Sequence, residues 1–380
     1  MPSILALVRQ SDYDLKKVYR VVSEAVELLG GMRRFVSPGE RILLKPNLLS
    51  PSPPEKAITT HPAVVEAAIA LVREAGGTPL LGDSPGAFSL ARTLDKTGLR
   101  QVAERWGVEI LDFDQERGVE VQAEGVFRRI EMARAVQEVD GIINLPKLKT
   151  HGQMTLTLAV KNLFGCIPGR KKAQWHLQAG VDRDLFAELL LEIYLLLRPR
   201  LHLLDGILAM EGDGPGAGGS PRWLGLIAAS EDGLALDLQV TRMLGIPVSS
   251  VPVLRVASRR GLQPIHSGEV LLRGEAPESY GIANFRPPRS IDLTWGLPAW
   301  LRRLLREALL ARPLVDRASC NLCRLCCQSC PVGCIKEKQG GLVIDRERCI
   351  LCFCCQEVCP RGAIGIRQGW ASKLLGRHWG

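Results

Sequence analysis

A chain of 380 residues exceeds one compact core and leaves room for a large domain of about 200–280 residues plus a smaller one. A hydrophobic fraction of 46% and a charged fraction of 23% exclude a disordered chain, and no apolar run reaches the roughly 18 residues of a membrane-spanning helix. A net charge of +9 is weak ground for nucleic-acid binding, and no basic leader or cleavage pattern opens the chain, so a cytoplasmic location is expected.

In chain order, strands are predicted at Ser3–Val8, Ile42–Lys45, Leu80–Gly82, Val108–Phe113, Gly141–Asn144, Leu201–Leu204 and Leu224–Ala229. Helices are predicted between them at Leu15–Leu29, Pro62–Glu74, Leu90–Arg105, Asp184–Leu197 and Glu231–Leu244. Leu15, Val18, Val22, Val26 and Leu29 recur near the helical period, and Gly76-Gly77 stops the second helix. Strands alternating with helices imply crossover connections. Residues 1–285 are therefore expected to be an α/β domain, a mostly parallel sheet with flanking helices. Residues 286–317 read as a linker. Pro287-Pro288 breaks the chain there, and a basic amphipathic helix follows at Pro298–Ala311 with Trp300, Leu301, Leu304 and Leu305 on its apolar side. That face is expected to pack on the main domain in preference to a peripheral membrane contact. Residues 318–368 form a second unit, and 369–380 a short basic tail.

Twelve cysteines are present, and eleven lie between Cys320 and Cys359. A reducing compartment disfavours a disulfide framework, so such a cluster points to metal ligation. CNLCRLCCQSCPVGCI at 320–335 repeats without a gap as CILCFCCQEVCPRGAI at 349–364. Each copy carries C-x2-C-x2-C-x3-C-P, the spacing of bacterial two-cluster ferredoxins, in which the fourth cysteine of a run ligates the other cluster. Cys320, Cys323, Cys326 and Cys359 are thus expected to hold one 4Fe–4S cluster, and Cys349, Cys352, Cys355 and Cys330 a second. Zinc would use tetrahedral sites of four cysteines each, which two identical runs of this spacing suit poorly. Two clusters with their thiolates, each about −2, would lower +9 to about +5.

The segment 318–368 resembles the bacterial two-cluster ferredoxin domain along its length. The resemblance implies a small α+β unit of two antiparallel hairpins and two short helices around clusters close enough to exchange electrons. Cys327, Cys334 and Cys354 lack counterparts in the other half and read as small buried residues near the clusters. Cys166 reads as apolar filler.

Four polar stretches follow predicted strands in the large domain: Lys45-Pro46-Asn47, Gly82–Gly86, Asn144–His151, and Asp205-Gly206 running on to Gly214. Open parallel sheets bind ligands outside the carboxyl ends of their strands. Lys147, Lys149 and His151 are the candidate catalytic residues, and Lys45, Asn47, Asp83, Lys161, Asn162 and His176 the candidate ligand pocket. Arg170-Lys171-Lys172 adds positive charge. K-P-N, N-x-P-K-x-K-T-H, K-N-x-F-G-x-x-P-G and D-G-I-x-A-M-E-G-x-G-P occur in that order within 1–285. On these motifs the chain resembles the family known as domain of unknown function 362, whose members often carry a C-terminal ferredoxin pair. That family is distantly similar to the nickel-dependent lactate racemase group, although no cofactor lysine is matched here.

Gly214-x-Gly216-x-x-Gly219 satisfies the dinucleotide fingerprint in letters only. No helix pattern follows it to receive a pyrophosphate. His61 precedes Pro62 at a helix start, and His202 lies in an apolar strand, so both read as structural. The expected function is a cytoplasmic iron–sulfur oxidoreductase whose clusters relay electrons to or from a small anionic ligand or a redox partner, without nucleic acid. The alternatives are an electron-transfer or scaffold subunit that docks a partner enzyme, and a metal or sulfur maturation factor.

Overall fold

The computed structural model describes residues 2–115, 118–265, 269–290 and 311–369. The helix expected at Pro298–Ala311 and the tail beyond Gly369 fall outside the described residues, apart from Ala311 itself.

The central sheet is built from β1 (Ser3–Arg9), β2 (Arg41–Pro46), β3 (Thr78–Asp83), β4 (Glu109–Asp112), β7 (Gly141–Leu145), β8 (Lys147–His151), β9 (Thr155–Thr157), β10 (Leu201–Gly212), β11 (Gly219–Ser230) and β12 (Val270–Gly274). β5 (Val119–Gln122) and β6 (Arg129–Met132) pair separately. The order is β12-β1-β11-β10-β7-β2-β3-β4, with β8 pairing β10 and β9. The sheet is parallel except where β11 inserts antiparallel between β1 and β10 and where β9 turns back on β8. It is therefore mixed, and mostly parallel.

Alternate side chains face opposite layers. Leu5, Leu7 and Leu43 enter one core, whereas Ala6, Val8, Ile42 and Leu44 enter the other. Helices cover both faces, giving a three-layer α/β arrangement. The helix Leu15–Glu27 shows how: Val18, Val21, Val22, Ala25 and Val26 are buried on one stripe, each valine contributing about 1.5–3 kcal/mol. Asp14 caps its start by accepting from the Lys17 N–H. The helix expected over Leu90–Arg105 is two helices, Leu90–Thr97 and Leu99–Trp106, because Gly98 between them adopts φ 78°.

Two polar stretches expected as loops are strands. β10 continues through Asp205 to Gly212, and Lys147–His151 is β8, buried at all five positions. Pro146 separates β7 from β8 and has no N–H to offer a ladder. β7 accordingly pairs with the start of β10, and β8 with the part that follows. Polar letters concealed a buried strand.

The cysteine-rich unit starts earlier than expected, because β13 (Arg312–Val315) pairs with β16 (Ile364–Arg367). β14 (Ile335–Lys338) and β15 (Gly341–Ile344) form the other ladder. Only this second ladder is a hairpin, turned by Gln339 and Gly340 at positive φ; the first joins the unit's opening and closing strands. The internal repeat is kept in three dimensions. The shift that carries Cys320 onto Cys349 also carries β13 onto β15, β14 onto β16, and the helix Leu325–Gln328 onto Cys354–Glu357.

The unit rests on two turns of the large domain. Gln356 Nε2 donates to the Asp213 carbonyl at 2.7 Å, and Phe353 is 1% exposed. The G-x-G-x-x-G string is the β10–β11 turn, and it meets the cysteine unit. A Cβ on Gly216 would lie 2.5 Å from the Glu357 carbonyl oxygen, a backbone atom with little freedom to retreat. Gly216→Ala should therefore lower stability by about 1–3 kcal/mol, read from denaturant midpoints. An unchanged midpoint would show that this contact does not hold the units together.

Candidate functional site

β2 and β3 end at the same edge of the sheet, and their terminal charges meet there. Lys45 Nζ lies 2.8 Å from Asp83 Oδ1 with both side chains buried. Asp83 also accepts from the N–H groups of Leu48 at 2.8 Å and Ser84 at 2.9 Å. Gly165 lies against this pair: a Cβ there would come within 2.1 Å of Asp83 Oδ1 and 2.5 Å of Lys45 Nζ. Asn162 accepts from Asn47 Nδ2 at 2.9 Å and donates to Asn144 Oδ1 at 2.7 Å. Asp237 accepts from the N–H of Ala159 at 2.7 Å and of Val160 at 3.2 Å. It thereby anchors the short helix Ala159–Asn162 that carries Lys161 and Asn162.

These groups line a cavity of about 340 Å³, together with Lys172 and His176 from the helix Gly169–Ala179. Its far wall comes from the cysteine unit, through Gln328, Ser329, Cys330, Cys354, Glu357 and Val358. Of the residues expected in a ligand pocket, Lys45, Asn47, Asp83, Lys161, Asn162 and His176 all border this one space.

The expected catalytic trio is placed differently. Lys147, Lys149 and His151 sit on buried β8 and do not line the cavity. Lys147 Nζ pairs with Asp205 Oδ2 at 2.7 Å and donates to the Tyr13 hydroxyl at 3.0 Å. Burial pulls its ammonium down, and Asp205 opposes that pull. Lys149 donates to Asn47 Oδ1 at 2.8 Å and the Ile58 carbonyl at 2.6 Å, and burial lowers it to about 7. His151 Nδ1 accepts from the N–H of Gln153 at 3.0 Å and Met154 at 3.2 Å, which leaves the proton on Nε2. That nitrogen is 2.9 Å from Glu357 Oε1, close in distance but poorly aligned for a hydrogen bond. Burial alone would raise the Glu357 carboxyl; His151, Lys161 and His176 together hold it at about 2. The trio braces the wall behind the cavity.

His61 and His202 make local packing and capping contacts away from the cavity lining. His61 accepts from the Ala63 N–H at the start of Pro62–Glu74 and stacks on Tyr13 at 3.5 Å. His202 Nδ1 lies 3.0 Å from Asn144 Nδ2. Cys166 is buried, and burial pushes its thiol to about 12.

The structure gathers the cysteines into two groups. Cys320, Cys323, Cys326 and Cys359 line one small cavity; Cys330, Cys349, Cys352 and Cys355 line another, beside Cys334. Around each group the backbone takes the same unusual form. Leu322 and Arg324 have φ 58° and 60°, and their counterparts Leu351 and Phe353 have 55° and 60°. Non-glycine residues in this region cost about 1–2 kcal/mol each. A left-handed residue on either side of Cys323 and of Cys352 bends each loop tightly, and such residues are components of the backbone concavities found at phosphate and iron–sulfur sites. The fourth cysteines also match: Cys334 N–H donates to Cys330 Sγ at 3.4 Å and Ala363 N–H to Cys359 Sγ at 3.2 Å. A lone tetrahedral zinc draws four sulfurs to about 3.8 Å from one another. Among the described residues, no three His, Cys, Asp or Glu converge tightly enough for a single metal ion. Four thiols in each group are a donor set compatible with metal or iron–sulfur binding.

Sequence reasoning missed several wall residues. Lys172 registers there only as positive charge, and Cys354 only as a mismatch between repeats. Nothing local marks Glu357, which reaches His151 across more than 200 residues of chain.

Fold and site together define an α/β protein with a cysteine-rich unit closing a cationic cavity at the strand ends. The profile of the family described as "Domain of unknown function (DUF362)" matches residues 42–242, and the chain belongs to that family. It is 38% identical over 309 residues to "Thylakoid-associated protein sll1697" of Synechocystis, spanning 81% of this chain and 95% of that one. Among solved structures, it is similar to the lactate racemase apoprotein from Thermoanaerobacterium thermosaccharolyticum, with TM-score 0.40 and 11% identity over 62% of this chain and 55% of that one. This likeness is too loose to bear on chemistry.

Removing one partner of a buried ion pair leaves an uncompensated charge. Asp83→Ala should cost about 3–5 kcal/mol in denaturant unfolding, and a loss below about 1 kcal/mol would place the pair in effectively wet surroundings. Acid sensitivity follows from the histidines. Burial holds His61 at about 4, and His176 and His202 at about 3, against an ordinary 6.5. The unfolded chain thus binds protons that the fold refuses. This stability is complete above about pH 6.5 and falls as pH drops toward 4 and 3, by about 1.4 kcal/mol per unit and histidine. Denaturant midpoints should decline between about pH 7 and 5, less steeply for His202→Gln; a level profile contradicts this.

Proposed function

We propose that the chain is an iron–sulfur oxidoreductase of the DUF362 family, working on a small anionic molecule held in the cavity between its two units. Cys320, Cys323, Cys326 and Cys359 would hold one 4Fe–4S cluster, and Cys330, Cys349, Cys352 and Cys355 the other. Such clusters supply one-electron transfer when bound. The supporting observation is that Cys330 belongs both to the second thiol group and to the cavity wall, so cofactor and ligand would share a wall.

The protein's own residues divide the work. Each group has two buried cysteines, but Cys323 of the first is exposed whereas every member of the second is buried or half-buried, which favours the first group as the side a redox partner meets. The Lys45–Asp83 pair and the Asn47–Asn162–Asn144 chain of hydrogen bonds hold the cavity floor rigid, leaving the ammonium of Lys161 to orient an anion. Phe164 and the cysteine unit supply parts of the cavity wall. A docking subunit without a substrate would leave this cationic cavity without a task. The cytoplasmic location read from the sequence remains a proposal, since the cyanobacterial relative is by name thylakoid-associated; no helix among the described residues is long and apolar enough to cross a membrane.

Protein purified without air should contain about eight irons and eight acid-labile sulfides per chain. Zinc without iron refutes the assignment. Cys330→Ser should alter the cluster otherwise held by Cys349, Cys352 and Cys355. Spectra showing change only in the Cys320 set would contradict the cross-over.

A further inference from the structure

We propose that Lys161 and Lys172 are the groups in this cavity that recognise its occupant, and that the occupant is a small molecule bearing one oxyanion, a carboxylate or a phosphate. The inference rests on reading the cavity as a ligand site and goes further by naming which of its cations are free to bind and what they bind.

The cavity holds three ammonium groups that are not equivalent. Lys45 is neutralised by Asp83 at 2.8 Å and has no charge to spare. Lys172 is held only by neutral acceptors, the carbonyl and the hydroxyl of Ser84. Lys161 lies over the Phe164 ring at 4.8 Å, and among the described residues neither it nor Lys172 has a carboxylate at ion-pair distance. Glu357 is the other acid on the wall, and its close contact is with His151. Counting the protein's own side chains alone, two cations face one wall carboxylate; a cluster held through Cys330 would add negative charge on that wall, so the occupant is recognised by these two donors and not by a net charge deficit. Burial lowers both ammonium groups, Lys172 to about 8; an incoming anion would relieve that penalty.

Two further observations point the same way. His176, 5% exposed, lines the cavity with Nδ1 buried and without a partner, and such an atom calls for a polar group on the occupant. The helix carrying Lys172 and His176 begins at Gly169 on the cavity wall, so its positive end adds to the field. The volume of about 340 Å³ lies at the low end for ligand sites, which excludes a whole dinucleotide and fits a compact acid.

The test is calorimetric titration of iron-loaded protein at constant ionic strength with inorganic phosphate, butyrate and butyramide. Binding of phosphate or butyrate, with butyramide silent, is expected, and whichever anion binds tells phosphate from carboxylate chemistry. Lys161→Gln and Lys172→Gln should each weaken that binding at least tenfold, while Lys17→Gln on the surface leaves it unchanged. Absence of binding by both anions to protein with full iron content overturns the inference, as does equal binding of butyramide or wild-type affinity in both variants. The comparison of butyrate with butyramide needs no variant, so a misfolded mutant does not blunt it. Low iron content would instead count against the iron–sulfur reading, so the two failures are distinguishable.

Discussion

An ammonium group leaves water only where other atoms take over its solvation, and several kcal/mol are lost where they do not. Lys45, Lys147 and Lys149 are 0%, 1% and 1% exposed, so the strand ends must supply three replacements for water. Asp83 serves Lys45, Asp205 with Tyr13 serves Lys147, and the Asn47 amide with the Ile58 carbonyl serves Lys149. Asp83, Asp205 and Tyr13 are in turn fixed by backbone N–H groups, and Asn47 by a further amide. Much of the architecture at this edge follows, including the glycine at 165 and the Asn47–Asn162–Asn144 chain.

The cysteine unit obeys a second constraint, symmetry broken on one side. Its halves share strands, helices, left-handed residues and N–H···S bonds, yet the side-chain bonds to the large domain come from the second half. Arg324 is exposed, whereas its counterpart Phe353 is buried; Cys327 has as its counterpart Gln356, which bonds Asp213; Gln328 has Glu357, which reaches His151. The repeat diverges where it docks. Cys354, unmatched in the other half, falls on this same docking helix and on the cavity wall.

The arrangement relates the two units functionally. A cavity wall that contains a thiol of the second group would place an occupant beside a cofactor, in a partly buried setting where charges are screened less than in water. The first group includes the exposed Cys323 and does not line this cavity.

How much of this was legible beforehand depends on how far apart in the chain the interacting atoms lie. The thiol groups were legible because three members of each set fall within one short loop and the fourth is supplied by the duplicate. The layered α/β core was legible in its hydrophobic periods, and the six pocket residues because strand ends concentrate such groups. β8 was not, since Lys147, Lys149 and His151 carry the polar letters of a loop and only their distant partners make burial tolerable. Glu357 was invisible for the same reason. Spacing along the chain decides ligands that one loop can gather; only the folded molecule decides which charges, hundreds of residues apart, neutralise one another and which remain free.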